Sequence, residues 1–412
     1  MTRALPIVLL VLACTVAAAG CGGSDESGAR KSLLVVVNAP FSKTPYVGTT
    51  IDRGVSLAAS DINDRGGVSI GGESYDLRVK RLDNALSPRR ALQNVRRAVG
   101  DGAIAIVDEG TGIDATWEVA GRDDVPIGIV YQGGEDLVDA QKRPNVYRVA
   151  PTNHGLAFRL AEYVIPKRLK VALLHDDSGY GESGAASLRK AFSLNPEAIA
   201  ASITLPAGAL DVAPQVLRAR GAGATALMVW GLPPTIAAAI TAARTAGWDV
   251  PVFTPPAGAD PLVRQQLADH PSWVDGLTFA TGRLTAERGP GPYLAFQQRY
   301  EDAYGAEKVG VKTAAGAPVY QPPEFAMYAY DFMQVLAAAL QLADSTDPAE
   351  VTKALEQVSV VGVNGDERGF NERNHESVVD DDVYFARFHD MTFGPVPDDP
   401  LSATLPVIDQ VR

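Results

Sequence analysis

The sequence predicts an α/β fold built on parallel sheets covered by helices. Two observations carry this expectation. Short apolar runs alternate along the chain with stretches of helical periodicity. The runs are also apolar without interruption, as a strand buried on both faces requires; a strand with one wet face alternates instead.

The elements follow in order. Leu33–Val37 is the first buried strand, and Ile51, Val55, Ala58 and Ile62 then fall on one helical face. Gly66-Gly67 ends that helix, because glycine takes the left-handed conformation without a steric penalty. Leu77 and Val79 alternate with Arg78 and Lys80, the pattern of a strand with one face toward water. Ser87-Pro88 supplies a helix cap and a first-turn proline. Ala103–Val107 and Ile127–Val130 complete a first set of strands. A second set begins near Pro151. Its strands are expected at Val171–Leu174, Ile199–Leu205, Ala226–Trp230 and Val252–Thr254, with helices between them. Phe325–Leu342 is apolar nearly all round and reads as a buried helix; Asp347-Pro348 opens another.

Composition narrows the function. The chain has 412 residues, enough for two or three domains or two lobes of one unit. It carries 37 basic and 49 acidic residues, and such a surface repels phosphate backbones, so no nucleic-acid partner is expected. The two cysteines, Cys14 and Cys21, both lie near the N-terminus. The body therefore offers no disulfide, thiolate nucleophile or cysteine metal site. The five histidines show no i,i+4 metal pairing, and neither a metal nor a cofactor is expected.

Residues 1–20 have the form of a secretory signal: Arg3, an apolar run from Ile7 to Val16, and small residues Ala17 to Gly20. The run is too short to span a bilayer as a stable helix. Ala18-Ala19-Gly20-Cys21 resembles the lipobox of bacterial lipoproteins. That resemblance implies lipidation at Cys21 and anchorage to the outer face of the cytoplasmic membrane. An ordinary signal peptide with a chance cysteine is the other reading. Residues 21–31, opening Gly22-Gly23-Ser24-Asp25-Glu26, form a polar tether.

An ordered set of strings carries a wider resemblance. PFSKTPYVG fills 40–48 and VSLAASDINDRGG fills 55–67; YRVAPTN follows at 147–153 and VALLHDDSGYGES at 171–183. MVWG at 228–231, AARTAGW at 242–248 and YAYDFMQVLAAAL at 328–340 complete the set. Together they resemble the leucine/isoleucine/valine-binding proteins, the type I periplasmic-binding-protein family that feeds ABC importers, over roughly residues 32 to 390. The resemblance implies two Rossmann-like lobes joined by three hinge crossovers. Lobe 1 would comprise 32–150 and 283–362, and lobe 2 would comprise 151–282 and 363–412. The crossovers would lie near Ala150-Pro151, Thr281–Arg283 and Val363–Gly369. Function is then expected to be capture of a small polar solute (an amino acid, amide or small carboxylate) between lobes that close on it. The implied partners are that small-molecule ligand and an ABC permease, with the protein itself a monomer.

The ligand site follows from the same resemblance and from the rule that open α/β sheets bind ligands beyond the carboxyl ends of their strands. Free N–H groups and helix dipoles there favour a carboxylate or other polar group. Ser42 and Tyr46 occupy the first loop. Glu109, Gly110 and Thr111 stand where the family places serines that hold a substrate carboxylate. Tyr131, Gln132, Gly133 and Gly134 form a second loop, and Tyr180 matches a family tyrosine that packs on ligand. Trp230 and Leu232 follow the next strand; for Trp230 a place in the core is the competing reading. Pro256 stands where amino-acid-binding members usually place a glutamate for the substrate ammonium. Either Asp108, Glu109 or Asp177 replaces that charge, or the ligand is not an α-amino acid.

Catalysis finds little support. Gly181-Glu182-Ser183-Gly184-Ala185 lacks the last glycine of a nucleophile elbow. Gly66-Gly67 and Gly71-Gly72 precede a strand, the wrong context for a dinucleotide loop. Asp380-Asp381-Asp382 reads as a solvated acidic turn or a calcium site. The serious rival function is a ligand sensor of the same architecture that signals to a membrane receptor or kinase.

Overall fold

The computed structural model describes residues 30–282, 291–379, 382–402 and 410–411. Residues 1–20, Cys21 and most of the tether lie outside this set, as do Asp380 and Asp381.

The first apolar run extends to both sides and becomes β1 (Lys31–Ala39). It is followed by α1 (Pro45–Asp64), β2 (Val68–Ile70), β3 (Glu73–Asp83) and α2 (Pro88–Gly100). Next come β4 (Ala103–Asp108), α3 (Ile113–Gly121), β5 (Ile127–Ile129) and β6 (Val146–Arg148). The six strands form one sheet in the order β2-β3-β1-β4-β5-β6. All neighbours run parallel except the short edge hairpin β2–β3. Every residue of β4 is buried, as the uninterrupted apolar run requires. Ser87 caps α2 by accepting the Arg90 N–H.

The second series is α4 (Asn153–Val164), β7 (Val171–Asp176), α5 (Gly179–Ala191), β8 (Ile199–Leu205) and α6 (Ala213–Gly221). It continues with β9 (Ala226–Trp230), α7 (Pro233–Thr245), β10 (Val252–Thr254), α8 (Pro261–Gln266) and β11 (Thr278–Gly282). The chain then adds α9 (Gly291–Tyr304), β12 (Glu307–Lys312), β13 (Pro318–Gln321), α10 (Glu324–Ala343) and α11 (Pro348–Leu355). It ends with β14 (Ser359–Val361), β15 (Glu367–Gly369), β16 (Val383–His389) and β17 (Thr392–Pro395). The second sheet has the order β17-β16-β11-β10-β9-β7-β8. Its β16 and β17 run antiparallel and close one edge.

Side chains explain which segment joins which sheet. The buried α10 packs along α1 through Phe325, Ala326, Ala329, Phe332, Met333 and Leu336, in the core above the first sheet. Phe370 and Val378 enter the same core, so residues up to 378 of the segment expected in lobe 2 pack on the first sheet. Conversely, the β12–β13 hairpin lies in the segment expected in lobe 1. Its Val309, Val311 and Val319 enter the core of the second sheet. Arg53 holds this hairpin from α1 by an ion pair with Glu307 at 2.5 Å. The chain thus passes between the two sheets after β6, between Gly282 and α9, and again ahead of β16.

Candidate functional site

The carboxyl ends of β1 and β4 in the first sheet, and of β7 and β9 in the second, open on one cleft of about 570 Å³. That volume suits a small solute. Glu109, Gly110, Thr111, Tyr131, Gln132 and Gly134 line it from the first sheet. Ser178, Gly179, Tyr180, Ser183 and Leu232 line it from the second. A smaller inner chamber continues beneath, lined by Tyr131, Gly133, Asn153, Tyr180, Pro256, Phe325 and Tyr328.

Of the expected site residues, Glu109, Gly110, Thr111, Tyr131, Gln132, Gly133, Gly134, Tyr180, Leu232 and Pro256 meet around these two spaces. Ser42, Tyr46 and Trp230 do not line them. The Ser42 hydroxyl donates to Asp83 at 2.6 Å, which fixes the first loop to the end of β3. Tyr46 turns inward and packs edge-on against Phe325. Its neighbours Thr44 and Val47 reach the cleft instead. Trp230 is fully buried and lies under Tyr180, with ring centroids 6.0 Å apart. Asp177, one possible counter-charge, accepts the Ala207 N–H at 2.7 Å and is not a lining residue.

Backbone geometry shapes both loops after the strands. Gly110 has φ +118°, and a Cβ there would stand 2.5 Å from the Gln132 Cβ. Glycine alone takes this conformation readily and lets the two loops touch. A Cβ on Gly133 would meet the Pro151 carbonyl oxygen at 2.5 Å and the Asn153 nitrogen at 2.6 Å. Behind the second loop, the fully buried Arg148 donates to the Gln132 carbonyl at 3.1 Å and the Gly134 carbonyl at 2.8 Å. Its guanidinium also pairs with Glu376 at 2.5 Å, so the loop is fixed by charge-assisted bonds.

The chemistry of the floor is acidic. Asp108 and Glu109 are both buried at the end of β4. Asp108 accepts the Asn38 amide at 2.7 Å and the Gly110 N–H at 2.6 Å. Glu109 accepts the Asn84 amide at 2.9 Å, the Thr111 N–H at 3.0 Å and the Gln132 amide at 2.9 Å. Burial raises both carboxyl groups above their usual range, and the Glu109 charge raises Asp108 further. In the second sheet Asp176, also buried, accepts the Ser178 hydroxyl at 2.5 Å, the Leu232 N–H at 2.7 Å and the Thr235 hydroxyl at 2.9 Å. Burial also raises the Tyr131 and Tyr180 phenols, which therefore stay neutral at neutral pH.

Several lining residues lie beyond the expected set. Asn153 and Ser183 belong to the strings YRVAPTN and SGYGES, and the Asn153 amide at the head of α4 donates to the Ser183 hydroxyl of the neighbouring α5 at 3.1 Å. Pro40, Leu86, Pro88, Ile113, Leu137 and Ala257 supply apolar walls. Their signal in the sequence is position alone: all but Leu137 lie just past a strand or at the head of a helix.

This arrangement agrees with comparison to known proteins. A model of the periplasmic binding protein family matches residues 35–392. The chain belongs to that family. Its curated relatives include an amino acid binding protein of Pseudomonas aeruginosa, 26% identical over 76% of this chain and 79% of the relative. A Leu/Ile/Val-binding protein homolog of Brucella abortus is 22% identical over 84% of this chain and 86% of its own length. Among solved structures, the branched-chain amino acid transporter substrate-binding protein of Streptococcus pneumoniae, in complex with isoleucine, superposes with a TM-score of 0.73. That pair is 21% identical, with 88% of this chain and 98% of the other covered. A solute-binding protein of Rhodopseudomonas palustris in complex with benzoate superposes at 0.70, with 18% identity and coverage of 88% and 94%. The fold is that of the type I members, resembling the leucine/isoleucine/valine-binding proteins. No helix among the described residues is long and apolar enough to cross a membrane.

Proposed function

We propose that this protein captures a small polar solute in the cleft and delivers it to an ABC importer, held at the membrane through lipid on Cys21. The observation that carries the reading is the convergence of loops from both sheets on one cleft, with Tyr131 on one side and Tyr180 on the other. A solute in contact with both sides favours the closed form over the open one, and only differential contact shifts such an equilibrium. The two lobes are the segments built on the first and second sheets, and the passages between the sheets are the hinges. Relatives named for amino acids, and neighbours holding isoleucine or benzoate, support a solute of that size.

The test is titration calorimetry on solutes selected by thermal shift. Tyr180→Ala should weaken binding at least tenfold, about 1.4 kcal/mol, while the melting transition stays cooperative. Unchanged affinity would remove Tyr180 from the site.

A further inference from the structure

The cleft has a polarity that its fold alone does not dictate. In an α/β sheet the N–H groups beyond the strand ends are ready anion sites. Here the chain's own carboxylates take three of them. The Gly110 N–H is taken by Asp108, the Thr111 N–H by Glu109, and the Leu232 N–H by Asp176. The Gly181 N–H is taken by the Ser178 hydroxyl, itself bonded to Asp176. Among the described residues lining the cleft and the inner chamber there is no lysine, arginine or histidine, whereas Glu109, Asp114 and Asp136 are present. Tyr131 feels the negative charges of Asp260, Glu109 and Glu324. Arg264, the buried cation near Asp260 and Glu324, is held by the Met391 carbonyl and by Gln321 and lines neither space.

What remains open is acceptor capacity. Asn153 is 1% exposed, lines both spaces, and has a buried amide oxygen without a hydrogen-bond partner. The Gln132 amide nitrogen is spent on Glu109 and Thr111, which leaves its oxygen to accept. Two tyrosine rings flank the space, and aromatic faces attract cations.

We infer that the solute presents hydrogen-bond donors, as an amine or amide does, and that simple carboxylates are rejected. An anion here would meet Glu109 with no lysine, arginine or histidine among the described lining residues, and would find the Gly110, Thr111, Leu232 and Gly181 N–H groups already bonded. Desolvating it without a partner is costly. An ammonium or amide N–H instead finds Asn153, Gln132 and the Glu109 carboxyl. This inference rests on the capture reading and narrows its solute.

The experiment is calorimetric titration of the protein at pH 7 with two matched sets. These are benzylamine, benzamide and benzoate, and isoamylamine, isovaleramide and isovalerate. The expected result is that an amine or amide binds at least tenfold more tightly than the carboxylate with the same body. A carboxylate that binds as well as its partners overturns the inference and leaves capture standing. No binding by any of the six, with no thermal shift across a wide panel of amino acids and polyols, defeats capture itself. Glu109→Gln should narrow the gap between amine and carboxylate at least tenfold; an unchanged gap removes Glu109 as its source. Should that variant fail to fold, the matched sets on the wild-type protein still decide.

Discussion

Glu324 shows how a single buried acid ties this fold to pH. It opens α10 and is 1% exposed. Burial raises it to about 7, with the Arg264 charge and a hydrogen bond from Thr281 pulling the other way. An acid raised by burial holds its proton more tightly folded than unfolded. Its contribution to stability is therefore full below about pH 4.5 and is lost as pH rises to about 7. A shift of this size is worth about 3 kcal/mol. Urea unfolding of the wild type and of Glu324→Gln at pH 5 and pH 8 tests this. The wild type should lose more stability between the two, by up to that amount; equal losses would show that Glu324 does not govern the change. The residue scale is also where sequence reading reached its limit. Asp108 and Glu109 stand out in sequence as acids in a place for hydroxyls, but their hydrogen-bond partners Asn38, Asn84 and Gln132 come from three other loops or strands. Ser42 and Tyr46 have the right position in the chain, yet Asp83 and Phe325 turn them away from the cleft. Trp230 ends a strand whose every residue is buried, and the ring follows its neighbours into the core.

Elements were legible where burial on both faces erases alternation. Ala226–Trp230 and Val252–Thr254 are buried throughout and form strands at the bounds the apolar runs imply. Where long-range pairing decides, local sequence says less. The hairpin β12–β13 has alternating exposure and joins the second core through three valines, although the segment around it packs with the first sheet. Val383–His389 becomes a strand because β11 offers an edge to pair with, in a register from Thr278↔Arg387 to Gly282↔Val383. The N-terminal segment is the element whose chemistry is read from sequence alone. Lipid on Cys21 would anchor the chain, since each buried methylene contributes about 0.8 kcal/mol and two or more chains hold stably. Cys21→Ala in the producing cell should move the protein from the membrane fraction to the medium. Retention in the membrane fraction would contradict the anchor.

At the scale of the whole molecule, the two sheets face one cleft, and the proposed closure would turn the backbone segments that pass from one sheet to the other. The β12–β13 hairpin adds a constraint. It is tied to α1 by Arg53–Glu307 and to α8 by Arg264–Gln321, so the proposed closure would require it to bend or to travel with one side. The paired arrangement of sheets was legible in sequence from the alternation of strands and helices together with the family strings. The hairpin's bridging position was not, because it depends on contacts between residues more than 200 apart in the chain, such as Arg53 and Glu307. Capture by closure has a direct physical signature. Small-angle X-ray scattering of the protein with and without a solute of proven affinity measures it. A smaller radius of gyration in the bound state is expected, and identical dimensions at saturation would contradict capture by closure.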